Sequence, residues 1–273
     1  MKQVNLKWRE VNKKELMKKS ALETDTSEII TEPTVFHLDG KVVMIYGKYE
    51  GDLSAIRQAC KSIKYQKSDR TSGLKTESRI FGFRPRRVMR GDFCSATSLS
   101  LDHPNEHKLI CDFGVQFTQL YSLWAPEVYK HHEQLVSQEV REEWRIPKTV
   151  FTSGIINQNN SLKYHLDSGN FRDCMSCMLV LRKDIGGGML SLPEFDLRLD
   201  LQDGHYLIFD GQKHLHGVTQ IIRKTQFAYR YSIVFYALQQ MCHCLPIHEE
   251  VQRIRTVKKA REEKRLQKER DDL

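Results

Sequence analysis

In the stretch Tyr164-His165-Leu166-Asp167, two residues of metal-ligating type stand two positions apart. If the stretch is extended, side chains alternate, and His165 and Asp167 leave the same face of the strand. Downstream, His214-Leu215-His216-Gly217-Val218 closes an apolar run and offers a further imidazole from either His214 or His216. Two imidazoles and one carboxylate that leave other positions open suit a non-haem Fe(II) centre, which must also admit substrate and O₂. In Ala228-Tyr229-Arg230-Tyr231-Ser232-Ile233-Val234-Phe235-Tyr236, period two sets Arg230, Ser232, Val234 and Tyr236 on one face. A guanidinium buried in an apolar strand is costly without a partner, and its fork matches a carboxylate. A dicarboxylate cosubstrate would supply that partner.

Such residues converge only if sheets carry them. Beyond Val150 the short apolar runs CMLVL, MLSL, YLIF and RYSIVFYAL are separated by Gly186-Gly187-Gly188, Asp203-Gly204 and Asp210-Gly211. Phe195, Leu197, Leu199 and Leu201 alternate with Asp196, Arg198 and Asp200. Together they predict a β-sandwich or barrel over residues 150–246. The first half reads differently. Residues 1–33 alternate Lys-rich and acidic stretches with few apolar residues and are expected to form a loosely ordered arm. The run from Val35 to Tyr46 predicts two strands around the turn Asp39-Gly40. Ile56, Ala59, Cys60 and Ile63 predict a helix capped by Asp52 or Ser54. Ala125-Pro126-Glu127 opens another, with Val128, Leu135, Val136, Val140 and Trp144 on one stripe and Pro147 as its stop. Residues 247–273 read as a charged C-terminal helix.

The 43 Lys and Arg against 35 Asp and Glu leave a formal charge of +8. That balance permits a polyanionic partner without requiring one. Much of the excess lies between Lys67 and Arg90, where Arg70, Lys75, Arg79, Arg84, Arg86, Arg87 and Arg90 are interleaved with Phe81 and Phe83. No apolar run reaches the roughly 20 residues that span a bilayer. The first residues lack the apolar stretch of a secretory signal, and seven Cys show no disulfide-scaffold spacing, so a reducing compartment is expected. Cys174-x-x-Cys177 with Cys242-His243-Cys244 has zinc-ligand types, but alternation sends Cys174 and Cys177 to opposite faces, which favours buried thiols. Cys94, His103, His107 and Cys111 form a second possible metal run, although Asp102-His103-Pro104-Asn105 also reads as a turn.

Taken together, His-x-Asp, the distal HGV histidine and RxSxVFY resemble the TET/JBP family of Fe(II) and 2-oxoglutarate dioxygenases, which oxidise the 5-methyl group of pyrimidines in nucleic acid. The likeness is best from Phe151 to Leu238, where GGGMLSLPEFD resembles the family's hairpin and LIFDGQKHLHGVT the strand bearing its distal ligand. It implies a mainly β fold with flanking helices (α+β) around a double-stranded β-helix, a jelly-roll or cupin-like core. The dioxygenase domain would run over 34–246, with a helical and basic first half over 34–149. The resemblance implies His165, Asp167 and His216 as catalytic iron ligands, with His216 preferred to His214 for its interval before Arg230. It implies Arg230 and Ser232 at the distal carboxylate of 2-oxoglutarate, and Asn170 and Tyr236 at a flipped base. Arg84, Arg86, Arg87 and Arg90 would then meet the nucleic-acid backbone. Leu238 stands where methylcytosine oxidases of the family place a His, which keeps thymine open beside methylcytosine.

The expected function is therefore hydroxylation of a 5-methylpyrimidine in DNA, methylcytosine first and thymine next, with Fe(II), 2-oxoglutarate and O₂. The alternatives are the same chemistry on a protein side chain or small molecule, or a non-catalytic nucleic-acid-binding module. The chain is expected to act as an intracellular monomer, in a nucleus or a bacterial or phage-infected cytoplasm, with DNA as partner and no membrane.

Overall fold

A strand that is apolar on both faces must be covered on both, and the strand Tyr229–Tyr236 meets that demand at the centre of the molecule. The computed structural model describes residues 1–69, 75–86 and 93–271. In the major sheet Tyr229–Tyr236 pairs antiparallel with Ser176–Lys183 on one side and Ser153–Gln158 on the other. The sheet continues through His205–Phe209, Lys41–Lys48, Thr34–Leu38 and Lys2–Asn5 in one direction. In the other it continues through Lys75–Arg84 and Gln66–Asp69. The minor sheet runs in the order Glu28–Ile30, Leu197–Leu199, Leu190–Leu192, His216–Val218, Leu162–His165. Phe36, Met44, Val180, Leu207 and Phe209 of the major sheet meet Leu190, Leu192, Leu197, Leu199 and Val218 of the minor sheet in one core. This is the jelly-roll sandwich the sequence predicts, with helices on the outer face of the major sheet.

Those helices cover the opposite face of the same central strand. Tyr231, Ile233 and Phe235 pack with Ile56, Cys60, Ile110, Phe117 and Tyr121. The helix Ser54–Ser62 starts where the sequence places it, although the Asp52 side chain accepts from Ser54 N in a turn and does not close the helix end. The 21-residue helix Pro104–Trp124 is not anticipated by the sequence reading, which takes Asp102 to Asn105 as a turn. Its Gly114 is needed by packing: a Cβ there would lie 2.9 Å from the Phe235 ring.

Three further expectations are corrected. The helix opened by Pro126 ends at Glu139, because Val140 is extended and Trp144 sits in a separate short turn, Glu142–Trp144, with its indole donating to Leu245 O at 2.7 Å. The alternation from Phe195 to Leu201 is a strand only over Leu197–Leu199, since Asp196 takes a left-handed conformation (φ 54°) that ends the turn Pro193–Phe195. Residues 1–33 are not a loose arm: Lys2–Asn5 pairs in parallel with Thr34–Leu38, and Glu28–Ile30 with Leu197–Leu199. Backbone pairing to both sheets repays an ordering cost that apolar content alone would not. The C-terminal helix, Ile247–Asp271, buries only Glu250 among its described residues.

Cysteine usage also differs from expectation. Cys94 and Cys244, 150 positions apart, form a disulfide, a pairing that no local spacing announces and that departs from the all-thiol state of a reducing compartment. It removes Cys94 from the possible run with His103, His107 and Cys111, whose imidazoles accept instead from Lys64 N and Gly82 N. Cys174 and Cys177 are buried thiols in different core clusters. No helix among the described residues is long and apolar enough to cross a membrane.

Candidate metal and cosubstrate site

The minor sheet pairs its edge strand Leu162–His165 with the neighbouring strand His216–Val218, which brings the ligand-type residues together at one end. His216 is the register partner of His165, and their rings lie 4.3 Å apart between centroids. Asp167 is the second residue beyond the His165 strand and is fixed there by its own N–H, which donates to Gly211 O at 2.9 Å. His165 Nε2 lies 3.6 Å and His216 Nε2 3.8 Å from Asp167 Oδ1. Among the described residues, these three form the one group of three or more His, Cys, Asp or Glu placed to hold a metal ion, with ligand atoms all within 4.8 Å of one another.

Each imidazole is held in the ligating tautomer by its other nitrogen. His165 Nδ1 stands 2.7 Å from Lys163 O, and His216 Nδ1 2.9 Å from His214 O. A carbonyl oxygen only accepts, so Nδ1 carries the proton in both rings and Nε2 presents its lone pair toward Asp167. The edge of Phe209 packs against the His216 ring at 5.0 Å. The site is lopsided: the His165 and Asp167 side chains keep 32% and 31% of their surface exposed against 7% for His216, so access is from the His165 side. This donor set fits a divalent iron with positions left for other ligands.

On the central strand, Arg230 is fully buried, and neither Nε nor one terminal nitrogen has a hydrogen-bond partner among the described residues. Loss of hydration, with the Arg182 charge beside it, brings its pKa down to about 10, so it remains a cation near neutrality. Gly188, at φ +70°, makes room for it, since a Cβ there would lie 3.2 Å from Arg230 Nε. A buried, unpaired guanidinium is expensive, and an anion supplied from solution would offset that cost. Ser232, two residues on, accepts a 3.4 Å hydrogen bond from Asn157 Nδ2 and is otherwise placed on the same face.

The remaining candidates are distributed less simply. Asn170 is buried, bridges Leu238, and donates from its amide to Ser176 Oγ at 3.2 Å, while Gln212 Nε2 donates to its carbonyl. Tyr236 ends the central strand, half-buried, with its carbonyl accepting from Thr152 N. His214 is drawn away from the triad, packed on Phe195 at 4.9 Å beside Glu194. Arg84 donates to Ser95 Oγ at 2.7 Å over the Phe93 ring. Arg86 is taken up inside the protein, donating to His243 O and lying 3.3 Å from the buried Glu250, so its assignment to a phosphate is corrected. Arg79, counted in the same basic stretch, is buried and paired with Asp102. Arg87 and Arg90 lie outside the described residues.

Sequence reasoning misses Gly211 and Glu194. Gly211 is visible only as half of a turn dipeptide, yet a Cβ on it would come within 2.3 Å of Asp167 Oδ2. Glu194 looks like a surface carboxylate in an alternating run. Burial would raise its pKa, but His214, Lys13 and the Leu215 N–H around it hold it below the usual carboxylate range.

A two-sheet jelly roll with two imidazoles and a carboxylate at one end and a buried arginine on the central strand has the arrangement expected of an oxygenase-type metal centre. Residues 91–239 match the family described as the oxygenase domain of the 2OGFeDO superfamily, Tet_JBP, and the chain belongs to that family. Iron and 2-oxoglutarate are the groups that this superfamily uses. The chain is 30% identical over 118 residues to the bifunctional helicase and thymine dioxygenase JBP2 of Leishmania braziliensis, covering 43% of this chain and 10% of that protein. It is 28% identical over 177 residues to the thymine dioxygenase JBP1 of Trypanosoma brucei brucei, covering 63% of this chain and 20% of that one. It thus spans a fifth or less of these curated relatives. Among solved structures it resembles NgTET1 in complex with 5mC DNA, with a TM-score of 0.59 and 15% identity over 79% of this chain and 83% of that one. At that identity the likeness establishes the fold.

Proposed function

We propose that the chain is an Fe(II)- and 2-oxoglutarate-dependent dioxygenase that hydroxylates the 5-methyl group of a pyrimidine base in DNA. The observation that carries the reading is the triad: three donors within 4.8 Å of one another, both imidazoles with Nδ1 engaged by backbone carbonyls. His165, Asp167 and His216 would hold the iron, and Arg230 with Ser232 the distal carboxylate of 2-oxoglutarate. When bound, the metal and cosubstrate supply the oxidising chemistry, and the balance is one methyl group, one 2-oxoglutarate and one O₂ giving hydroxymethyl, succinate and CO₂.

The chain's own residues have simpler tasks. Arg230 turns a cosubstrate carboxylate toward the inter-sheet space and fixes its far end. The apolar walls around Phe209 and Val218 keep water from the His216 side. Tyr236 and Asn170 stand at the end of the central strand and its bridge to Leu238, where an extruded base would stack. Arg84 would neutralise a phosphate.

Of the two bases, thymine now leads methylcytosine, the reverse of the order expected from sequence. The sequence relatives named above are thymine dioxygenases, whereas the neighbour crystallised with 5mC DNA is alike in fold alone. The test is mass spectrometry of nucleosides from DNA incubated with the Fe(II)-loaded protein and 2-oxoglutarate, with and without methylcytosine. Hydroxymethyluracil formation that vanishes in Asp167→Ala supports the reading, and oxidation confined to methylcytosine transfers it to that base. No oxidised nucleoside, with succinate still formed on a protein or small-molecule substrate, overturns the DNA assignment.

A further inference from the structure

The two strands that present His165 and His216 have a second face, which points away from the metal ligands. On it, Tyr164, Leu215 and Ala21 form a small apolar cluster with Leu16, Met17 and Leu166. Alternation explains the arrangement: Tyr164 and Leu215 are the immediate neighbours of His165 and His216, so their side chains leave on the opposite side. What covers them is the N-terminal segment. Lys18 N donates to Tyr164 O and Tyr164 N donates to Lys19 O, both at 2.9 Å, so this segment is joined to the His165 strand by backbone pairing. The Tyr164 hydroxyl donates to Asp25 at 2.9 Å. Ala21 closes on Gly217, where an added Cβ would lie 2.9 Å from the Ala21 methyl.

The same segment reaches the turn before His216 through a charge. Lys13 Nζ lies 2.5 Å from Glu194 Oε1, and the other oxygen, Glu194 Oε2, accepts from Leu215 N at 2.7 Å. Glu194 is wholly buried, and Lys13 also donates to Lys213 O at 3.3 Å. Trp8 packs edge-on against Phe195 at 5.7 Å and lies under the Lys13 ammonium, while Arg9 N donates to Glu194 O at 2.8 Å. The main chain of His214 and Leu215 is therefore gripped from behind, and the His214 carbonyl is the group that sets the His216 ring through Nδ1.

We propose that residues 8–25 are a positioning brace for the metal centre, with the Lys13–Glu194 pair holding the turn that aims His216. Because Glu194 fixes the Leu215 N–H and His216 takes its orientation from the adjacent carbonyl, the brace acts on the metal through one peptide unit. Groups hydrogen-bonded directly to a ligand commonly govern affinity by 10- to 100-fold, and the His214 carbonyl that the brace positions is such a group. The inference rests on the metal-site reading of the triad.

The test is titration of the metal-free chain with Co(II), followed by the visible absorption of the bound ion, alongside thermal melting of the metal-free protein. Lys13→Met and Glu194→Gln should weaken Co(II) binding about tenfold or more. Lys13→Arg should restore it, and Lys19→Met, which removes an exposed pair with Glu15 on the same segment, should leave it at the wild-type value. If Glu194→Gln does not fold, Lys13→Met decides, since Lys13 is partly exposed. A role confined to stability would lower the melting temperature and leave the Co(II) dissociation constant unchanged, which would overturn the proposal. Wild-type protein that takes up no Co(II) lost in His216→Ala would instead sink the metal reading, and the brace with it.

Discussion

Replacing Gly211 by Ala tests the site at its tightest point. The added Cβ would stand 2.3 Å from Asp167 Oδ2 and 3.2 Å from His216 Cε1. Ordinary contact needs about 3.5 Å, so the carboxylate must retreat by roughly 1 Å. Gly211 is not among the residues with positive φ, so alanine strains no backbone there and the fold should melt at or slightly above the wild-type temperature. A displacement of about 1 Å at a reacting centre costs on the order of 100-fold, which is about 2.7 kcal/mol of transition-state stabilisation. The assay is succinate formation per minute with saturating 2-oxoglutarate and DNA, paired with Co(II) titration of the metal-free protein. Gly211→Ala should lose about two decades in kcat/KM and bind Co(II) more weakly while keeping its melting temperature. Wild-type turnover and affinity in this variant would refute the idea that Gly211 makes room for a liganding carboxylate.

Four other outcomes follow from the geometry. Arg230→Met removes a buried cation with unpaired nitrogens, so the protein alone should melt no lower, while the stabilisation that 2-oxoglutarate gives the wild type in a melting assay should disappear. His132 is buried among Tyr121 and Phe151 with neither ring nitrogen hydrogen-bonded among the described residues, and burial pushes its pKa down to about 3. Its folded pKa lies below its unfolded value, so between about pH 6.5 and 3 the unfolded chain binds the extra proton and stability falls as pH falls, by up to about 1.4 kcal/mol per unit. His132→Phe should flatten that part of the pH–stability curve, and an unchanged slope in denaturant melts would contradict the assignment. Arg84→Ala should reduce the slope of log affinity for DNA against log salt by about 1, whereas Arg86→Ala should lower the melting temperature by leaving the buried Glu250 carboxylate, held then only by the Cys94 and Leu245 N–H groups, without a counter-charge.

The candidate metal site was legible because its chemistry is local. His165 and Asp167 sit two apart on an extended stretch, and His216 and Arg230 each fall in short apolar runs whose alternation fixes their faces. The sandwich was legible for the same reason. What escaped depends on contacts between segments far apart in the chain. Glu194 looks solvated until Lys13, 181 positions earlier, and Leu215 N close on it. The first thirty-three residues are too polar to predict order, yet they are ordered by backbone bonds to both sheets. The helix Pro104–Trp124 was hidden by a His-Pro dipeptide that resembles a turn and by Gly114, whose absence of a side chain serves the Phe235 ring and not the helix. The Arg86 side chain, lastly, shows the limit of a basic stretch as evidence: its charge is spent on Glu250.

The most direct test of the account is incubation of the Fe(II)-loaded protein with thymine-containing DNA and 2-oxoglutarate under heavy-isotope dioxygen, followed by mass measurement of both products. The account predicts one labelled oxygen in the hydroxymethyl group of the base and one in succinate, in equal amounts, and neither product in Asp167→Ala. Labelled succinate without any labelled base, on thymine or on methylcytosine, would contradict it.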